Sequence, residues 1–127
     1  MANKTMTNLE IYNYANALGS SFNEDLTLPV KVNFYLQKNM NTIMEAGRDI
    51  EKTRMEIVQR YGTATEDGAG IEIPNDKIEE VNKELEDLFS LEQEIKINEI
   101  SLEAFANVEL SSSQVAAIAF MIKDEEE

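Results

Sequence analysis

The sequence predicts a mainly α fold with a small β element (α+β), in which one long helix is packed by shorter helices and a two-stranded β element. Three observations predict it. Leu36, Met40, Ile43, Gly47, Ile50, Arg54, Ile57 and Tyr61 are spaced alternately by four and three residues, which keeps them on one face of a helix over residues 29–61. Capping boxes at Thr7-x-x-Glu10 and Ser111-x-x-Gln114 mark the starts of two further helices. The segments Ile71-Glu72-Ile73 and Glu94-Ile95-Lys96-Ile97 alternate apolar and polar residues as strands do. At 127 residues the chain reads as a single domain, 1–127, large enough for one core.

The N-terminal helix is expected over residues 7–18, stopping near Gly19, with Leu9, Ile11, Tyr12, Ala15 and Leu18 apolar and Asn8, Asn13 and Asn16 facing water. Residues 20–28 read as a loop. Pro29 suits the first turn of the long helix, because its missing N–H would be unpaired there anyway. That helix carries apolar residues on more than one side at both ends (Val30, Phe34 and Leu36; Met55, Ile57 and Val58), so its ends are expected to be the buried parts. Glycine inside a helix costs about 1 kcal/mol relative to alanine. Gly47 in the stripe therefore implies a close backbone approach or a bend. Arg54, also in the stripe, reads as an aliphatic stem lying on the core with its charge in water, in preference to a buried ion pair.

Gly62 suits a left-handed helix end, and the small polar residues 63–70 read as a turn or exposed loop. A strand near residues 71–73 is ended by Pro74. An acidic helix follows over 76–90, opened by an Asp76-x-x-Glu79 box and lined by Ile78, Val81, Leu85 and Leu88. The strand near 94–98 is expected to pair its isoleucines with Ile71 and Ile73 across that helix. Residues 101–105 can form a short helix. The C-terminal helix 112–122 is apolar almost all round and is expected to be buried, before a solvated acidic end at 123–127.

Cysteine and histidine are both absent, which excludes disulfides, thiol nucleophiles, the usual zinc sites and imidazole proton transfer. No metal site, cofactor or catalytic residue is expected, and Asp67-Gly68-Ala69-Gly70 reads as a turn because it lacks the Lys and the following helix of a phosphate loop. The formal charge of −14 is unevenly placed: residues 1–65 carry seven acidic and seven basic side chains, whereas residues 66–109 carry fourteen acidic and three basic. Direct nucleic-acid binding is therefore not expected. No apolar run approaches the roughly 18 residues of a membrane span. The start MANKTMTNLEIY does not resemble a secretory signal, so a cytoplasmic location in the host cell is expected.

The stripe needs cover. Either the shorter helices supply it, or another copy or a partner protein does, and on the second reading Leu36, Met40, Ile43, Gly47, Ile50 and Ile57 form an oligomer or partner interface. Lys31, Tyr35, Lys38, Arg48 and Lys52 are candidates for holding a small anionic ligand, Tyr35 stacking on a base, although pairing of Lys52 with Glu45, Asp49 or Glu56, and of the basic helix with the acidic one, explains the same residues.

The segments LPVKVNFYLQKNM leading a helix that ends in VQRYG, the acidic NKELEDLF, EIKINEISLEAF and VELSSSQVAAI resemble a family of small acidic proteins of unknown function from tailed phages and prophages of Gram-positive bacteria. They cover most of residues 28–123. None is a catalytic motif, so the resemblance implies an accessory role without residue-level chemistry, with relatives expected to differ most in TATEDGAG. The leading expectation is a non-enzymatic, homo-oligomeric binding protein that acts on a host defence or virion protein. The alternatives are an oligomeric sponge for a nucleotide-like anion and an acidic mimic of nucleic acid, with Glu79, Glu80, Glu84 and Asp87 on the acidic face.

Overall fold

A computed structural model describes residues 2–22, 27–66, 68–106 and 108–123. The middle of the expected 20–28 loop, Asp67 and the acidic end at 124–127 lie outside them. The fold is mainly helical with a small β component. In order along the chain are β1 (Ala2–Thr7), α1 (Asn8–Ser21), α2 (Val30–Tyr61), β2 (Thr63–Ala64), β3 (Ile71–Glu72), α3 (Ile78–Ser90), β4 (Glu92–Ile97) and α4 (Ser112–Ile118). Short 3-10 turns precede α3 (Asn75–Lys77), follow β4 (Leu102–Phe105) and extend α4 (Ala119–Met121).

The spine is α2, whose 32 residues span about 48 Å at 1.5 Å per residue. Its buried positions are Val32, Leu36, Asn39, Ile43, Gly47, Ile50 and Ile57, distributed along the helix, so the expectation that burial concentrates at the ends is corrected. Val30 is 87% exposed and Phe34 57%. The stripe is covered within the chain by α1, α3 and β4. Helix α1 runs antiparallel to α2, since Tyr12 meets Glu51, Ala15 meets Gly47 and Gly19 meets Met44. A Cβ placed on Gly47 would lie 2.8 Å from the Ala15 Cβ, so the glycine marks a close approach of two helices.

Both expected capping boxes form. Thr7 Oγ1 accepts from the Glu10 N–H at 3.1 Å while the Thr7 N–H donates to Glu10 Oε1 at 3.0 Å. Ser111 and Gln114 exchange the same pair of bonds, and Gln114 Nε2 also donates to the Ser21 carbonyl at 3.0 Å, holding α4 to the end of α1. The Asp76 box does not form. Pro74 instead starts a 3-10 turn that runs into α3 without a side-chain cap.

The strand pairing differs from expectation. Residues 71–72 pair with 63–64 as a hairpin, and 92–97 pair antiparallel with 2–7, from Ala2 opposite Ile97 to Thr7 opposite Glu92. A hairpin closes a short loop at less entropic cost than a partner beyond an intervening helix. Its turn is drawn in by the Thr65 N–H to the Gly70 carbonyl at 3.0 Å, and Gly68 takes the left-handed φ of +70° there. Gly62, expected to be left-handed, has an extended φ of −97° and is needed for space instead: a Cβ would collide with the Ile71 side chain.

Two buried asparagines tie these pieces to the helices. Asn8, expected to face water, is buried and donates from Nδ2 to the Leu88 carbonyl at 2.9 Å while accepting from Gln93 Nε2 at 2.7 Å; Leu9 points outward in its place. Asn39 is fully buried, its Nδ2 donating to the Asn98 carbonyl and its Oδ1 accepting from the Asn98 N–H, both at 2.8 Å. That reciprocal pair satisfies the backbone where β4 ends on α2. The C-terminal element is α-helical to Ile118 and continues as a 3-10 turn to Met121, and it is not buried all round, because Val115, Ala116 and Ala119 face out.

Gly47→Val relieves part of the roughly 1 kcal/mol helix penalty of glycine, yet overpacks the Ala15 contact, a change that typically costs about 1–3 kcal/mol. Urea unfolding of the variant is expected to show a net loss of stability. A variant as stable as the parent would mean that α1 and α2 do not touch there.

Candidate functional site

Five of the six proposed interface residues lie inside the chain. Leu36, Ile43, Gly47, Ile50 and Ile57 are buried beneath the protein's own elements and Met40 is half-buried, so this stripe is core and not a surface for docking. The basic candidates are also dispersed. Lys31 and Tyr35 share a cavity of about 390 Å³ with Asn98, Glu99, Ser101 and Ala104, between the start of α2 and the chain leaving β4. Arg48 lines another, of about 260 Å³, with Tyr12, Asn16, Met44 and Gly47. Lys31 and Arg48 stand about 25 Å apart along α2 at its helical rise, so one small ligand cannot bridge them. Lys38 sits 5.5 Å from the centre of the Phe34 ring, and Lys31 5.9 Å from that of Tyr35. Lys52 is exposed, and none of its expected partners Glu45, Asp49 and Glu56 comes within ion-pair distance. The expected contact of the basic helix with the acidic one is made by Arg60 Nη1, 2.9 Å from Glu84 Oε1.

Beside the Arg48 cavity lies a polar cluster. The Tyr12 hydroxyl donates to Glu51 Oε2 at 2.7 Å, and Arg54 donates from Nε to Oε2 at 2.9 Å and from Nη2 to Oε1 at 2.6 Å. Arg54 is thus neither an unpaired snorkelling side chain nor part of a buried ion pair, but half of a partly exposed one. The bonds from Arg54, then that from Tyr12, lower the Glu51 carboxyl from 4.5 to about 2, while the bond to Glu51 raises the Tyr12 hydroxyl above its ordinary value. A carboxylate held ionised by a bidentate guanidinium is a poor proton carrier near neutrality. The cluster fastens α1 to α2.

An apolar groove lies toward the other end of the chain. Leu102, Phe105, Leu110, Val115, Ile118, Ala119 and Ile122 line an open groove of about 290 Å³ between the 3-10 turn Leu102–Phe105 and α4 with its extension. Leu102 is 64% exposed and Val115 50%. Bonds beside the groove tie the two segments together, from the Ile100 N–H to the Met121 carbonyl and from the Lys123 N–H to the Ile100 carbonyl, both at 2.8 Å. Residues 98–122 carry three acidic side chains, Glu99, Glu103 and Glu109, and no basic one. The signal for this groove was present in the sequence as a helix apolar on every side, but the same pattern describes full burial equally well.

Among the described residues, no three His, Cys, Asp or Glu side chains are grouped to hold a metal ion, and no helix is long and apolar enough to cross a membrane. Compared with known proteins, the chain matches no family model, no curated protein and no solved structure.

Glu51 has a folded pKa below its ordinary value, so its contribution to stability is present above about pH 4.5 and is lost as pH falls toward about 2. Partial exposure of the pair reduces the size of that contribution. Thermal melts across this window should show Glu51→Gln less stable than the parent at neutral pH, with the difference closing as the acid limit is approached. A difference that is constant with pH would assign the Glu51 contribution to packing.

Proposed function

We propose that the protein is a non-enzymatic accessory protein, of the phage kind its sequence resembles, that self-associates and grips an apolar segment of a host defence or virion protein in the groove between residues 102 and 122. The observation that carries this reading is the groove itself: a concave apolar surface with Leu102 and Val115 unburied. Isolated exposed apolar side chains are ordinary, whereas two of them bordering one concave apolar surface suit a partner's apolar anchor. Glu103, within the Leu102–Phe105 turn, and Glu109, next to Leu110 in the chain, favour a partner whose apolar anchors are flanked by Lys or Arg. Lack of histidine and cysteine, and a Glu51 carboxylate already saturated by Arg54 and Tyr12, support a binding role over a catalytic one.

A second reading, capture of a small anion, draws support from the cavity that joins Lys31 and Tyr35 to Asn98 and Ser101. It is the weaker, because Glu99 lines the same cavity and the chain as a whole is strongly acidic.

Val115→Glu and Leu102→Glu place carboxylates on exposed positions of the groove and should leave the fold intact. Capture of partners from host and phage-infected lysates, followed by titration of the isolated partner, is expected to lose at least tenfold in affinity with either variant and little with Lys31→Ala. Equal capture by parent and Val115→Glu would remove the groove from the reading. Binding lost with Lys31→Ala and kept with Val115→Glu, together with retention of a nucleotide through gel filtration, would favour the anion.

A further inference from the structure

We propose that β1 pairs edge to edge and antiparallel with β1 of a second copy of this chain, joining two two-stranded ribbons into one four-stranded sheet. The proposal rests on the self-association in the reading above and is independent of the groove.

The hydrogen-bond direction along β1 follows from its register. The Asn8 N–H donates to the Leu91 carbonyl at 2.8 Å, and that pair continues the β1–β4 register in which Met6 faces Gln93, Lys4 faces Ile95 and Ala2 faces Ile97. Antiparallel ladders alternate bonded and non-bonded pairs, so Ala2, Lys4 and Met6 turn their backbone groups toward β4 while Asn3, Thr5 and Thr7 turn theirs away. The Thr7 N–H bears this out, because it donates to Glu10 Oε1. Asn3 and Thr5, both exposed, are left with outward N–H and C=O groups, and the elements β1 packs on most are β4 and the adjoining α1.

The two edges of the ribbon differ in charge. On β4 the residues whose backbone faces away from β1 are Glu92, Glu94 and Lys96, the charged side chains that blunt an edge against pairing. On β1 the corresponding residues are Asn3 and Thr5, which are neutral. A second copy is the occupant that fits this edge. A β1–β1 pair adds a third and fourth strand to a ribbon whose Met6, Ile95 and Ile97 already pack in the core. With Asn3 opposite Thr5 of the other copy, all four outward N–H groups of the two strands meet outward carbonyls. Within β1 itself the only charged side chain is Lys4, so no carboxylate of the strand opposes the second copy. That register sets Lys4 directly across from Lys4 of the second copy. The like-charge contact weakens the pair and makes it reversible.

The test is the mass of the full chain, without any N-terminal tag, measured by sedimentation equilibrium from low to high micromolar concentration. The expected result is a reversible rise from the 14.4 kDa of one chain toward twice that mass. Thr5→Pro removes an outward N–H and none of the β1–β4 ladder, and should remain monomeric with an unchanged circular dichroism spectrum. It should keep the groove's binding to its partner, which separates failure of this proposal from failure of the groove. Lys4→Thr should tighten the dimer by about two- to fivefold, the scale of one cross-strand pair. Lys4→Glu mixed with parent should form a heterodimer in preference to either homodimer. Should Thr5→Pro fail to fold, amide exchange on the parent serves instead: the Asn3 and Thr5 amides are expected to slow as concentration rises. A monomer at every concentration, a dimer indifferent to Thr5→Pro and Lys4, or exchange at Asn3 and Thr5 independent of concentration would each overturn the proposal.

Discussion

A helix of 32 residues leaves an apolar edge of about 48 Å that has to be removed from water, and the rest of the chain is arranged along it. Among the described residues no other helix is longer than the 14 residues of α1. Cover must therefore come in pieces. Helix α1 lies antiparallel over the middle, α3 meets the end through Arg60 and Glu84, and β4 with the Ala119–Met121 turn closes the start around Asn39. Each junction between pieces leaves backbone groups facing the core, where an unpaired group costs about 1–3 kcal/mol. Asn8 and Asn39 answer that demand. One accepts from Gln93 and donates to Leu88, the other takes both backbone groups of Asn98, and among the described residues they are the buried polar ones.

The same piecewise cover explains where apolar surface remains. The seven residues of α4 and the following turn bury Ala117, Ile118, Phe120 and Met121, while among the described residues Val115 and Leu102 remain exposed at the border of a groove. Net charge works in the same direction. Residues 98–122, which carry the groove, have three acidic side chains and no basic one, while the first 65 residues, which balance in charge, hold the Glu51–Arg54 pair and the outer edge of β1.

The period of the stripe made α2 legible with its ends nearly in place, since a three-and-four spacing over 26 residues has no other regular explanation. The Thr7 and Ser111 boxes were equally legible, because a cap depends on residues three apart and on nothing distant. Gly47 announced a close approach for a similar reason. Strand β1 was missed because Lys4 interrupts the apolar side of Ala2 and Met6, leaving the segment without a clear alternation. The Ile71–Glu72 strand is legible but its partner is not, since Thr63–Ala64 is two residues long and carries no apolar pattern.

The sequence by itself determined which segments are helical, where two of the helices begin, how charge divides between the halves, and which reactive side chains are absent. These properties are local or additive and need no knowledge of neighbours. Only the tertiary structure decided that the stripe is core, that Asn8 and Asn39 are buried, that Lys31 and Arg48 belong to different cavities, and that β4 pairs with β1. Whether an apolar face is covered, or a polar one sealed, depends on which distant element lies against it. That choice follows from packing and hydrogen-bond closure across the whole chain, quantities that no single segment carries.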